Sequence, residues 1–106
     1  MMGGTERDLV WSNVALARLL EIRDGLAERD PRAAGRILRL LLSRAAQLVD
    51  FPNLGRAVPE LPGSELRELI ETPYRIVYRV RGKTVEVATV FEGYRAFPAG
   101  DVGREK

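Results

Sequence analysis

The sequence predicts an α+β domain in which an N-terminal helical hairpin packs on one face of a small antiparallel β-sheet. Three observations predict it. From Asn13 to Val49 apolar residues recur at helical spacing, in two blocks separated by Asp30-Pro31. Beyond Gly63 the period falls to two, and β-branched and aromatic residues take over. The helical and extended blocks are segregated along the chain rather than alternating, as in α+β folds.

Each element has its own signal. Arg7-Asp8-Leu9-Val10-Trp11 is a short first strand ending in the only Trp. Ser12 offers a side-chain oxygen as a helix cap. From Asn13 to about Glu28, Ala15, Leu19, Ile22 and Leu26 form one stripe with Leu16 and Leu20 beside it, and Arg18, Glu21, Asp24 and Glu28 face the other way. Asp30 caps a second helix, and Pro31 suits its first position because its missing N–H has no partner there. Ala34, Ile37, Leu38, Leu41, Ala45 and Leu48 make the apolar face of that helix, which ends before Phe51-Pro52. The short link makes the two helices antiparallel. Asn53 to Gly63 reads as a loop, and Gly55 as its left-handed turn. Leu66–Ile70, Tyr74–Val80 and Thr84–Phe91 read as three strands, joined at Glu71-Thr72-Pro73 and Arg81-Gly82-Lys83. Tyr74, Ile76, Tyr78 and Val80 share one sheet face; Arg75, Val77 and Arg79 share the other, which this reading leaves open.

Composition bounds the chemistry. Of 106 residues, 17 are Lys or Arg and 15 are Asp or Glu, a formal charge of +2. This length makes one domain, placed at residues 1–98, with 99–106 as a polar tail expected to fray. It buries roughly two thirds of its unfolded surface, enough for a core without staples. The absence of Cys excludes a disulfide scaffold, a thiolate metal site and a Cys nucleophile, and the absence of His removes the usual general base. Arg outnumbers Lys by 15 to two (Lys83 and Lys106), which favours bidentate grips on carboxylate or phosphate; an Arg-rich codon bias produces the same count. No apolar run reaches the ~18–20 residues of a membrane span, and no apolar stretch follows Met1-Met2-Gly3-Gly4-Thr5 as in a signal peptide, so a soluble cytoplasmic protein is expected. No Gly-rich phosphate loop, HExxH or GxSxG is present. No cofactor, metal or small-molecule ligand is therefore expected.

Five stretches carry a family likeness. They are Trp11-Ser12 before a helix with Ala15 and Leu19; Asp30-Pro31-Arg32-Ala33-Ala34; Leu48-x-x-Phe51-Pro52-x-x-Gly55-Arg56-x-Val58-Pro59-Glu60; Leu66-Arg67-Glu68-Leu69 leading into Tyr74–Val80; and Val90-Phe91-Glu92-Gly93-Tyr94-Arg95. In this order and spacing the chain resembles the RelE/ParE superfamily of bacterial type II toxin–antitoxin toxins, of the plasmid-stabilisation type, over about Asp8 to Pro98. Its last motif looks more like the ParE-like branch. The resemblance implies a growth-inhibiting toxin with a helical hairpin on a small twisted sheet, neutralised by a cognate antitoxin. ParE-like members inhibit DNA gyrase; RelE-like members cut messenger RNA in the ribosome without a metal.

The resemblance also implies residues. On a ribonuclease reading, Arg67, Arg75 and Arg95 would converge on one phosphate, with Tyr94 as the acid. Two departures count against that reading: Leu69 stands where a second basic residue belongs, and Asp101 where a catalytic Tyr belongs, with no His to replace it. Glu92 is the remaining carboxylate. On a ParE-like reading Arg56, Arg75, Arg79, Tyr94 and Arg95 form a partner-binding surface. Arg75 and Arg79 have a plainer reading as strand residues paired with Glu86 or Glu68. Arg32, Arg36 and Arg39, at i, i+4 and i+7, make a basic stripe that is either a partner surface or a solvated helix face. Trp11, Phe51, Tyr74 and Tyr78 read as core or groove-lining.

Overall fold

The computed structural model describes residues 7–103; the first six residues and the last three of the expected tail lie outside it. Strand β1 (Asp8–Trp11) leads into helix α1 (Asn13–Ala27), then helix α2 (Pro31–Ala46), which tightens into a 3₁₀ turn at Gln47–Val49. A two-residue strand β2 (Arg56–Ala57) precedes β3 (Arg67–Glu71), β4 (Tyr74–Arg81) and β5 (Thr84–Glu92), and a 3₁₀ turn covers Ala99–Asp101. The helix starts follow the expected chemistry. Ser12 Oγ accepts from the Ala15 N–H at 3.0 Å, and Asp30 accepts from the N–H groups of Arg32 and Ala33. Ser12 also donates to the Ala88 carbonyl, tying the start of α1 to β5.

The sheet order is β1-β5-β4-β3-β2. Four of the strands form antiparallel pairs, but β1 runs parallel to β5, with Asp8 opposite Thr84 and Trp11 opposite Val87. The sheet is therefore mixed rather than purely antiparallel. A four-residue strand carries no signal for partner or direction; the returning hairpin and meander set both. Strand β2 falls in the expected loop, pairing Arg56 with Glu68 and Ala57 with Arg67.

Helices α1 and α2 cover one sheet face, and the core between them is built from Ala15, Leu19, Leu41, Ala45, Leu48, Leu69, Ile76, Tyr78, Val85, Val87 and Val90. The other face is not open. Val58, Leu66, Val77, Ala88, Phe91 and Val102 form a second buried cluster there, with Leu61 and Phe97 against it. Residues 58–66 and 96–102 lie over that face. Packing thus runs past Pro98, and residues 99–102 of the expected tail are held: Val102 is buried and Asp101 is bonded to Arg18 and Thr89. A bulge in β5 makes the two faces fit. Val77 is opposite Thr89 but Tyr78 is opposite Val87, so Ala88 has no partner and the alternation shifts by one. That lets Val85, Val87 and Val90 face the helices while Ala88 and Phe91 face the second cluster.

Gly55 is not a left-handed turn; among the described residues the positive-φ glycines are Gly63, Gly82 and Gly103. It is a close approach. A Cβ there would lie 2.6 Å from the Glu68 carbonyl oxygen and 2.8 Å from the Tyr78 hydroxyl. That fully buried hydroxyl donates to the Pro52 carbonyl at 2.7 Å and accepts from the Gly55 N–H at 2.9 Å, anchoring the loop. Of the aromatic residues read as core, Tyr74 and Tyr78 are buried and Trp11 packs on the first cluster, whereas Phe51, past the end of the 3₁₀ turn, is exposed.

Candidate functional site

Arg75 and Arg79 project from the central strand β4 to the second face, where the sequence reading left them open to solvent. Both are buried, 9% and 6% exposed, because the loop before β3 and the C-terminal segment close over them. A guanidinium in such a place must find counter-charges. Arg75 Nε donates to Glu68 Oε1 at 2.7 Å, and its two terminal nitrogens grip both Glu60 oxygens at 2.8 and 2.7 Å. Its guanidinium carbon lies 5.0 Å from the Phe91 ring centroid and 5.7 Å from that of Phe97. Arg56 reaches the other Glu68 oxygen at 2.7 Å. Two arginines and two glutamates therefore neutralise one another in a chain, Arg56–Glu68–Arg75–Glu60, whose centre is dry: the Glu68 side chain is fully buried. The hydrogen bonds from Arg75 hold the Glu60 carboxyl at about 2, well below its ordinary 4.5, and the Arg75 pKa is raised by the same bonds.

The other strand arginines are also engaged. Arg67 donates to the Gly55 carbonyl at 2.7 Å. Arg79 donates to the Val102 carbonyl and lies 3.8 Å from Glu86, while its buried Nε has no hydrogen-bond partner among the described residues. Arg56 is the most exposed of this group, on the short strand β2. Instead of converging on one free phosphate site, Arg67, Arg75 and Arg95 each have an acceptor of their own.

Beyond Val87, β5 runs on without β1, and its last residues border a cleft of about 330 Å³. Arg18 and Ile22 of α1, Val90 and Glu92 of β5, and Arg95, Pro98 and Asp101 of the C-terminal segment line it; Arg75 does not. Tyr94, 74% exposed, lies instead on a neighbouring pocket of about 290 Å³ that it shares with Arg75; it donates to Glu92 Oε2, and Arg95 Nε on the cleft wall donates to Glu92 Oε1, each at 3.1 Å. On the cleft floor Arg18 grips both Asp101 oxygens at 2.8 Å, and Thr89 Oγ1 donates to Asp101 at 2.9 Å. Those bonds, chiefly from Arg18, lower the Asp101 pKa. Position 101 thus holds a carboxylate anchor whose charge is stabilised by Arg18.

A model of the ParE toxin of type II toxin–antitoxin systems (parDE) matches residues 9–97. The chain belongs to this ParE toxin family. Among curated relatives of this ParE-family chain, the Y4kP protein of Sinorhizobium fredii is 34% identical over 92 residues, spanning 83% of this chain and 90% of its own. Toxin RelE2 of Caulobacter vibrioides is 36% identical over 83 residues, 77% and 90% of the two chains. Among solved structures, the chromosomal ParDE system of P. aeruginosa matches with a TM-score of 0.72 at 25% identity, covering 84% of this chain and 98% of that one. The RelBE2 toxin–antitoxin complex of Mycobacterium tuberculosis shares the fold, with a TM-score of 0.62 at 17% identity over 85% and 94%. The superfamily resemblance and the α+β hairpin-on-sheet architecture read from the sequence both stand, and the protein is a type II toxin–antitoxin toxin of the ParE/RelE kind. Among the described residues no helix is long and apolar enough to cross a membrane.

Glu60, Arg18 and the anchoring role of Asp101 escaped sequence reasoning. Glu60 lies in the Val58-Pro59-Glu60 stretch, but its irregular loop gives no register that points it at Arg75. Arg18 was read with the solvated side of α1 but stands on the flank of the apolar stripe beside Ile22, and its partner is 83 residues away. The pairing of Arg75 with Glu68 was foreseeable, since the two lie on adjacent strands two residues out of register and so share a sheet face.

Proposed function

We propose that this chain arrests bacterial growth by gripping DNA gyrase, without cleaving nucleic acid, and that a cognate antitoxin neutralises it. The observation that carries the reading is the neutralised state of the groups a metal-free ribonuclease needs. Arg75 is consumed by Glu68 and Glu60, and position 101 is an ionised Asp held by Arg18. Metal-free cleavage needs a cation free to bind the phosphorane and a group able to pass a proton. A protein-gripping toxin needs only a shaped surface, and Tyr94, Arg95 and Arg56 are exposed enough to serve on one. The match to a ParDE system supports the antitoxin partner. Purified chain should inhibit gyrase supercoiling at near-stoichiometric ratios; full supercoiling at large molar excess refutes the reading.

A second reading, ribosome-dependent messenger-RNA cleavage, is favoured by the likeness to the Caulobacter toxin named RelE2 and by the exposed Tyr94–Arg95 pair. It predicts cut message from translating ribosomes, abolished by Arg95→Ala. Either target places the toxin in the cytoplasm. Expression without the antitoxin should arrest growth under both readings; unchecked growth would mark the chain as a binding module without toxicity.

A further inference from the structure

Arginine pairing is uneven across the molecule. Arg18, Arg44, Arg56, Arg75, Arg79 and Arg95 each have a carboxylate within 4 Å. On α2 the pattern breaks. The helix carries four Arg and no acid, and Arg32, Arg36 and Arg39 are exposed with no side-chain hydrogen bond or ion pair among the described residues. They lie at i, i+4 and i+7, directly away from the buried stripe of Ala34, Leu41 and Ala45, and span about 10 Å of helix. Two leucines that the core does not use flank them. Leu40, one turn on from Arg36, is 42% exposed, and Leu42, three residues on from Arg39, is 39% exposed.

We propose that this outer face of α2 is a docking surface for an acidic, leucine-bearing segment of a partner protein, the antitoxin; this rests on the antitoxin reading above. Charge complementarity selects an anion, since three uncompensated guanidinium groups on one helix face repel each other until a partner supplies carboxylates. The leucines select a peptide over a phosphate backbone, because a polynucleotide strand offers no aliphatic group to cover them. The low overall charge of +2 also argues for a local match rather than long-range capture of a polyanion. Carboxylates repeating every three or four residues along a helical segment would meet the three arginines in turn while its apolar side covers Leu40 or Leu42.

The test compares the native chain with the triple variant Arg32→Glu/Arg36→Glu/Arg39→Glu for binding to the protein encoded by the adjoining small reading frame, with a 30-bp duplex DNA as control. The triple variant should bind that protein about 100-fold more weakly at low salt, and the deficit should shrink at high salt as the charges are screened. Arg→Gln at the same three sites, which adds no repulsion, should give an intermediate loss and serves if the first variant melts early. Unchanged affinity in both variants overturns the docking surface and leaves the antitoxin reading standing. No binding by the native chain overturns both. Loss of DNA binding with antitoxin affinity intact also overturns it and makes the stripe a nucleic-acid surface.

Discussion

Replacing Arg75 with Leu separates a structural from a catalytic role for this arginine. The substitution removes every contact of its guanidinium with Glu68 and Glu60. Glu60, 40% exposed, can rehydrate; Glu68, with no exposed side-chain surface, keeps only Arg56. Breaking a buried pair from one side costs about 3–5 kcal/mol, and the surviving Arg56 bond places this case near the lower end, about 3 kcal/mol. For a domain of this size that is a fall in Tm of roughly 12–24 °C. The double variant Arg75→Leu/Glu68→Leu leaves no buried charge behind and should return to within about 1.5 kcal/mol of native, since an apolar pair of similar volume often replaces a buried ion pair at little cost. Urea melts of native, single and double chains measure the three values, and growth arrest on expression is read alongside. A single variant that loses less than about 1 kcal/mol refutes the energetic reasoning. A folded double variant that no longer arrests growth refutes the structural assignment and returns Arg75 to the functional surface.

Other consequences are simpler. Tyr78→Phe strips the Gly55 N–H and the Pro52 carbonyl of their shared partner, and should cost about 2 kcal/mol in urea unfolding. Gly55→Ala drives a methyl group against the Glu68 carbonyl and should cost about 1–3 kcal/mol, with the loop bonds to Tyr78 lost from amide-exchange protection. The Glu60 carboxyl titrates lower in the folded chain than in the unfolded one, so its contribution is complete above about 4.5 and disappears as pH falls toward 2. Unfolding free energy should therefore drop across that window, less so in Glu60→Gln. Asp101→Asn keeps the shape but halves the grip of Arg18, and should loosen the C-terminal segment to proteolysis while leaving the sheet intact.

Much of the fold was legible because its signals are local. Ser12 and Asp30-Pro31 mark helix starts by backbone chemistry that needs no tertiary partner. Alternation of apolar and β-branched residues marks β4 and β5, and the two-residue period assigns Ile76 and Tyr78 to the helix side correctly. The candidate site was less legible. Arg75 and Arg79 were placed on their proper face, but burial depends on what else covers that face. Residues 58–66 and 96–102, which cover it, have irregular backbones and no period to read.

The sequence by itself determined the two helices and where they begin, the three long strands, and which side chains of β4 share a face, because capping, proline and periodicity act within a few residues; the bulge that shifts the alternation of β5 was not in it. It also bounded the chemistry: without His or Cys, charge must be handled by Arg and carboxylate. Only the tertiary structure decided the parallel docking of β1, the closure of the second face, and the state of each arginine. The physical reason is that a guanidinium takes its character from neighbours dozens of residues away. Arg75 and Arg39 are the same side chain, yet one lies between two glutamates beneath a loop and the other is exposed with no ion pair among the described residues.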